Sequence, residues 1–148
     1  MEVQKDFKEL LELFNAHHVE FLIVGGYALA LHGFPRYTGD IDILIQPDRE
    51  NANRILSALD AFGFGSIGLR EDDLTTPEKV IQLGYPPVRI DIMTSLSGVT
   101  WEEAYKGRVS GLYGDIQIFY IGRDQLILNK KTTSRKKDLA DLEALGEE

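Results

Sequence analysis

The fold is decided by the stretch Phe21–Ile45, which reads FLIVGGYALALHGFPRYTGDIDILI. It opens with four apolar residues of the kind that form β-strands, and Gly25 and Gly26 follow at once as a turn. The Ala- and Leu-rich segment Tyr27–Leu31 favours a short helix. After a loop, Asp40–Ile45 alternates acidic and apolar residues and predicts a second strand. The order is therefore strand, glycine turn, helix, loop and strand.

The second strand carries two carboxylates on one face. Side chains alternate across a strand, so Asp40 and Asp42 share a face while Ile41 and Ile43 point into a core. Two neighbouring carboxylates resist ionising together, and a divalent cation such as Mg²⁺ offsets that repulsion while also binding substrate phosphates. Glycines after a strand let backbone N–H groups approach a phosphate closely. This combination predicts metal-assisted phosphoryl or nucleotidyl transfer.

Two motifs of this stretch match a known pattern: Val24-Gly25-Gly26 and, after a spacer, Asp40-Ile41-Asp42-Ile43. They resemble the signature of the DNA polymerase β-like nucleotidyltransferase superfamily. Within it, the chain is similar to small prokaryotic members of the AbiEii type, which belong to type IV toxin–antitoxin systems. The resemblance implies an α+β fold, namely a minimal nucleotidyltransferase fold with a mixed β-sheet, flanking helices and a C-terminal helical segment.

The superfamily has a third carboxylate on a later strand, and Asp91 fits that place. The resemblance implies that Asp40, Asp42 and Asp91 hold two divalent ions, Mg²⁺ or Mn²⁺, and take part in catalysis. Asp91 lies in Val88–Met93, whose alternation predicts a strand suited to burial. A buried carboxylate needs a partner, and a salt bridge to Arg89 is the alternative to a metal ion.

The resemblance implies a nucleotide site formed by residues before and after the short helix Tyr27–Leu31. The resemblance places the triphosphate against Gly25 and Gly26, with Arg36 and Thr38 lining the pocket. In the alternative interpretation, Arg36 only neutralises the aspartates.

The C-terminal part resembles the last motif of the same group, a lysine followed by an Arg-x-Lys-Asp-x-x-Asp-Leu run. Here the lysine is Lys130 and the run spans residues 135–142. The resemblance implies that Lys130 is catalytic and faces the triphosphate, that Arg135 binds nucleotide, and that Asp138 orients one of the two. From the residues alone, the segment is alternatively a solvated basic loop with ordinary i,i+3 ion pairs.

Hydrophobic spacing predicts the remaining elements. We expect helices over residues 3–18, 49–62, 101–105, 122–131 and 135–145, strands over 80–83 and 88–93, and a hairpin of 108–112 with 115–121. Residues 65–79 are predicted to form a loop. Asp48 and Thr100 are expected to cap the helices that follow them. In the last helix, the spacing places Leu139, Leu142 and Leu145 on one side.

The composition is that of an ordinary globular domain. The chain has 148 residues, of which 43% are hydrophobic and 27% charged, and its formal net charge is −8. We expect one domain over residues 1–148, with a core of about 19–121 and a C-terminal helical segment of about 122–148. The negative charge argues against a large nucleic-acid surface. The chain contains no cysteine, which excludes disulfides and Cys-based zinc sites.

The N-terminus lacks the pattern of a secretory signal, and no apolar run has the length needed to cross a bilayer. We therefore expect a cytoplasmic protein without membrane association.

The function expected from motifs and resemblance is transfer of a nucleoside monophosphate from a nucleoside triphosphate to an acceptor hydroxyl. The resemblance implies a toxin-like enzyme that acts on RNA or protein and is checked by an antitoxin. The alternative is a catalytically inactive nucleotide-binding module, because Tyr27 stands where many active members have a small or hydroxylated residue. In a third, purely structural interpretation, Arg36 and Arg89 pair with the carboxylates.

Overall fold

The computed structural model describes residues 3–34, 39–65, 68–85 and 88–146. Within these ranges, the strands are β1 Phe21–Val24, β2 Asp40–Ile45, β3 Val80–Tyr85, β4 Val88–Met93, β5 Val109–Tyr113 and β6 Ile116–Tyr120. They form a mixed sheet in the order β3-β4-β2-β1-β6-β5. β1 runs antiparallel to β2 and parallel to β6, while β2 runs parallel to β4. The acidic strand β2 therefore lies near the centre of the sheet.

Helices flank this sheet: α1 Lys5–Ala16, α2 Gly25–Leu31, α3 Arg49–Leu59, α4 Glu71–Thr75, α5 Trp101–Lys106, α6 Arg123–Thr133 and α7 Lys136–Ala144. The predicted α+β architecture is confirmed. α1 packs against α3, β4 and β6, whereas α2 packs against β1, β2 and α6. In the part of the chain that the structure describes, no helix combines the length and the apolar character that crossing a membrane requires.

The core forms because apolar residues recur at the spacing of each element. In α1 the buried residues are Phe7, Leu10, Leu11 and Phe14, which follow the 3.6-residue helical repeat. In β2, Ile41 and Ile43 are completely buried, whereas Asp40 and Asp42, which alternate with them, are half-buried. The predicted caps are confirmed: Asp48 accepts a hydrogen bond from the Asn51 N–H, and Thr100 accepts one from the Glu103 N–H.

Several predicted boundaries are wrong, for local reasons. The helix after β1 begins at Gly25 and not at Tyr27. Gly25 has a φ of +68°, which turns the chain sharply between the strand and the helix. The helix predicted over 49–62 is regular only to Leu59, since Gly63 has a φ of +104° that an α-helix does not allow. Part of the predicted 65–79 loop forms α4, whose first turn is capped by the Asp73 carboxylate.

A buried amide ties the ends of the two central strands together. Asn51 is only 1% exposed, and its Oδ1 accepts a hydrogen bond from the Glu20 N–H at 2.8 Å. Its Nδ2 donates to the Glu20 carbonyl at 3.0 Å and to the Gln46 carbonyl at 2.9 Å. One side chain on α3 thus joins the residue before β1 to the residue after β2.

We expect Asn51→Ala to lower the free energy of unfolding by about 2–3 kcal/mol, because three hydrogen bonds to partly buried backbone groups are lost. Urea denaturation measures the change. Asn53→Ala, on the exposed side of the same helix, is the matched control and should change it by less than about 1 kcal/mol. Equal effects of the two substitutions would contradict this role of Asn51.

Candidate active site

Three carboxylates meet on one face of the sheet. Asp40 and Asp42 lie on β2, and the parallel register pairs Asp42 with Asp91 of β4. Residues paired in this way point to the same side of a sheet. Asp91 is 6% exposed, so its carboxylate is the most buried of the three.

Arg89 neutralises part of this charge. It is the cross-strand partner of Asp40, and its Nη2 lies 2.6 Å from Asp40 Oδ2 and 3.2 Å from Asp91 Oδ2. The hydrogen bond to Asp91 raises the pKa of Arg89 further above its ordinary value. Arg89 Nε and Asp91 Oδ1 are nevertheless buried without a hydrogen-bond partner. Among the residues described, no three His, Cys, Asp or Glu side chains are arranged to hold a metal ion.

The Asp42 carboxylate resists ionisation. Burial raises its pKa to about 7, and repulsion from Asp91 and Asp40 acts in the same direction. The charge of Lys137, at the start of α7, opposes this shift. The positive charge of Lys137 therefore compensates the Asp42 carboxylate only in part.

Gly25 brings the backbone into contact with Asp42. A Cβ atom added at Gly25 would collide with Asp42 Oδ2 and lie 2.9 Å from Asp42 Cγ. Only a glycine fits, both because of this contact and because φ is positive. The first turn of α2, with Gly25 and Gly26, consequently begins directly beside the carboxylates.

A closed network of ion pairs holds α7 against α6. The Lys130 Nζ lies 2.8 Å from Asp141 Oδ2 and 3.7 Å from Asp138 Oδ1, and the Lys130 side chain is 6% exposed. Burial by itself would raise the pKa of Asp138, but hydrogen bonds from Arg135 and Thr133 hold it well below its usual range. Lys130 therefore faces aspartates of α7 in this structure, whereas the resemblance placed it towards a triphosphate.

The same network explains which side of α7 is buried. Leu142 and Leu145 lie in the core as predicted, but Leu139 is 54% exposed, so its predicted place beside them is wrong. Asp138 and Asp141 occupy the buried side because Lys130 and Arg135 compensate their charges.

The N-terminal end of α7 directs positive charge towards the carboxylates. The Arg135 side chain is 60% exposed, and its guanidinium interacts with Asp42 as well as with Asp138. Lys137 acts on Asp42 in the same way. Arg135 is a predicted nucleotide-binding residue, whereas no role was predicted for Lys137, although the Arg-x-Lys spacing is a signal that indicates it. Arg36 and Thr38 lie outside the described residues.

The family model described as "Nucleotidyltransferase of unknown function (DUF6036)" matches residues 1–146. The chain belongs to this nucleotidyltransferase family. No curated protein matches it in sequence.

Two solved structures are similar to this nucleotidyltransferase. The "putative nucleotidyltransferase (TM1012) from Thermotoga maritima" is 18% identical, with a TM-score of 0.59 over 95% of this chain and 88% of that one. The lincosamide antibiotic adenylyltransferase LnuA, solved with lincomycin bound, is 14% identical, with a TM-score of 0.57 over 99% of this chain and 98% of that one. At these identities the likeness concerns the fold, and it confirms the predicted nucleotidyltransferase fold.

In this nucleotidyltransferase the residue after the glycines belongs to the core. Tyr27 is 3% exposed, and its ring packs edge-on against the rings of Phe7 and Tyr113, with centroids 6.1 and 5.7 Å away. The bulk of Tyr27 therefore does not fill the space in front of Gly25, where a ligand would approach.

We expect Gly25→Ala to destabilise the nucleotidyltransferase more than Gly33→Ala does. Both glycines have positive φ, so each substitution costs about 1 kcal/mol of backbone strain. A Cβ at Gly33 meets no atom within 4 Å, whereas a Cβ at Gly25 collides with Asp42. We expect this collision to cost a further 1–3 kcal/mol or so. Equal losses in urea denaturation would show that Asp42 moves aside freely.

We expect Asp42→Asn to stabilise the metal-free protein at high pH. Because the pKa of Asp42 is about 7 in the folded state and near 3.8 when unfolded, wild type loses stability as pH rises from 4 towards 7. Asparagine does not titrate, so the variant does not lose this stability. Its free energy of unfolding should exceed that of wild type by about 2 kcal/mol at pH 8 and by little at pH 4. Urea denaturation in EDTA measures this difference. The exposed Glu9→Gln is the control, and a gain independent of pH would contradict the mechanism.

Proposed function

We propose that this nucleotidyltransferase transfers a nucleoside monophosphate from a nucleoside triphosphate to an acceptor hydroxyl, with Mg²⁺ or Mn²⁺ held by Asp40, Asp42 and Asp91. The observation that carries the proposal is the meeting of these three carboxylates with the Gly25 turn on one sheet face. The donor atoms suit such an ion, because Mg²⁺ prefers carboxylate oxygens and Asp91 Oδ1 is buried without a hydrogen-bond partner. Metal binding would draw the three carboxylates closer together than they lie in this structure, where no three acidic side chains among the described residues are arranged to hold an ion.

The donor nucleotide lies against the start of α2 in this proposal. The backbone N–H groups of Gly25 and Gly26 bind its phosphates, and Arg36 and Thr38 line the pocket. Arg135, joined by the adjacent Lys137, offsets the negative charge of the leaving pyrophosphate. Both cations begin α7, and their interaction with Asp42 supports this arrangement.

We assign Lys130 a supporting role in the same reaction. Its Nζ is buried and paired with Asp141, so it acts by holding α7 in place. Arg135 and Lys137 then keep their positions relative to the carboxylates without a large loss of side-chain entropy on binding.

The chemical step is an in-line displacement. The oxygen of the acceptor hydroxyl forms a bond to the α-phosphorus, its proton passes to the Asp91 carboxylate, and the bond between the α-phosphorus and the pyrophosphate oxygen breaks. The metal supplies charge neutralisation on the phosphates and a lower pKa of the hydroxyl. The sheet fixes the carboxylates because they lie on central strands, which limits their reorganisation during the reaction.

A second candidate function is nucleotide binding without transfer. The observation in its favour is Arg89, which bridges Asp40 and Asp91 at the place where a metal ion is needed. A guanidinium that stayed there would leave a phosphate-binding module without the metal chemistry.

The biological role is a finer part of the proposal. The C-terminal motif supports an AbiEii-type, toxin-like enzyme with RNA or protein as acceptor, an antitoxin as partner and a cytoplasmic location, where nucleoside triphosphates are available. A fold of this kind accommodates different acceptors, so the fold alone does not choose among them.

We expect wild type to transfer label from one α-labelled nucleoside triphosphate to a macromolecule of total RNA or cell lysate in the presence of Mg²⁺ or Mn²⁺. Asp42→Asn should lower the rate at least about 100-fold, because it removes a metal-binding charge. Glu9→Gln should be as active as wild type. Electrophoresis with nuclease or protease treatment identifies the acceptor class.

Equal transfer by Asp42→Asn would overturn the proposal. Calorimetric binding of nucleotide by a folded wild type that transfers to no acceptor would favour the binding module instead.

A further inference from the structure

We infer that Arg89 is the exchangeable counter-ion of the metal-free site: it pairs with Asp40 and Asp91 when no metal is bound and leaves them when a divalent cation binds. This inference rests on the proposed function, since it concerns the same carboxylates. It gives Arg89 a role in that function, namely control of the affinity for metal.

The position of Arg89 follows from the register of the sheet. β4 places Arg89 beside Asp40 and two residues before Asp91, so all three side chains share one face. A single nitrogen, Nη2, contacts one carboxylate oxygen on each of the two strands. A divalent cation held by Asp40 and Asp91 would bind the oxygens that Nη2 now contacts.

The pairing is incomplete, which favours exchange. A strong Arg–carboxylate pair uses two parallel hydrogen bonds, but here one nitrogen makes both contacts. Arg89 Nε and Asp91 Oδ1 remain buried without partners. With a metal ion at the carboxylates and the guanidinium in water, both atoms would have partners, whereas the present arrangement satisfies neither.

The surroundings of Arg89 leave space into which its guanidinium can move. The Arg89 side chain is 31% exposed, whereas that of Asp91 is 8% exposed, so the cation is the mobile member of the pair. On the neighbouring strand β3, the partner of Arg89 is Gly84, which has no side chain to block movement towards that edge. The next residue on that face, Gln82, is exposed and presents a polar amide.

Exchange has a functional consequence. A guanidinium and a divalent cation repel each other strongly at such short range, so the two do not share the carboxylates. Only the molecules in which Arg89 has left the carboxylates bind metal. The larger the fraction in which Arg89 is still paired, the lower the apparent affinity of wild type for metal. In return, the carboxylates remain compensated, and the fold stable, when metal is scarce.

The test measures Mn²⁺ affinity without nucleotide, by calorimetry and by the electron paramagnetic resonance of free Mn²⁺. We expect Arg89→Gln to bind Mn²⁺ about tenfold more tightly than wild type, and Arg89→Lys, which keeps a competing cation, to stay closer to wild type. Arg54→Gln is the matched control, because it removes the same charge from an ion pair on α3 and should leave the affinity unchanged.

Thermal unfolding supplies the reciprocal measurement. Arg89→Gln should melt below wild type in EDTA, and this deficit should shrink in saturating Mn²⁺, because Arg89 no longer contacts the carboxylates in the metal-bound protein. A purely structural role for Arg89 predicts the same deficit in both conditions.

A measurement on wild type keeps the test independent of variant folding. In ¹⁵N-labelled protein, the Nε–H signal of Arg89, assigned through its absence in Arg89→Lys, should shift and exchange faster with water on addition of Mg²⁺. An unchanged Arg89 signal at saturating Mg²⁺ would overturn the inference, as would equal or weaker Mn²⁺ binding by Arg89→Gln.

The outcomes separate this inference from the proposed function. Tighter Mn²⁺ binding by Arg89→Gln in a protein that transfers no nucleotide would support the exchange and contradict the transferase activity. If wild type transfers nucleotide but Arg89→Gln binds Mn²⁺ with the same affinity as wild type, the transferase activity is supported and the exchange is contradicted. Absence of Mn²⁺ binding by every protein in the series would overturn both.

Discussion

The parallel register of β2 and β4 sets Asp42 directly beside Asp91 on the neighbouring strand. Two half-buried or buried carboxylates on neighbouring strands destabilise the sheet unless a positive charge is near. Arg89 supplies one such charge to Asp40 and Asp91. Asp42 receives less compensation, which is why burial raises its pKa to about 7. The three carboxylates thus lower the stability of the fold, and packing elsewhere in the structure must offset this loss.

The other elements around this face each reduce its freedom to rearrange. Gly25 presses the backbone against Asp42, and the hydrophobic core below β2 fixes the strand itself. On the far side of the site, Lys130 fastens α7 through Asp141, so that the cations at the start of α7 remain near the carboxylates. The buried ion pairs of α6 and α7 contribute geometry more than net stability, because desolvation offsets much of their attraction.

Membership of a nucleotidyltransferase family defines the class of chemistry, and the features that distinguish one member from another lie outside the shared fold. TM1012 and LnuA have similar backbones at 18% and 14% identity, so most of their side chains differ from those of this chain. The acceptor is selected by such side chains and not by the order of the strands. Under the proposed function, Arg89 is one residue through which the affinity for metal changes without a change of fold.

The sequence by itself determined the elements and the face on which the carboxylates lie, because strand alternation and helical spacing depend only on neighbours along the chain. Asp40 and Asp42 are examples, and the motif resemblance extended the prediction to Asp91. Tertiary structure decided which of the possible charge pairs form; the pair of Arg89 with Asp91, which the sequence left as an alternative to a metal ion, is one of them. Lys130 pairs with Asp141, and Arg89 contacts carboxylates on two strands. Tyr27 is buried in the core by packing against Tyr113. These contacts join residues that are distant in sequence, or they depend on packing. Local patterns do not encode such contacts, since they depend on the register of the sheet and on how the helices cover it.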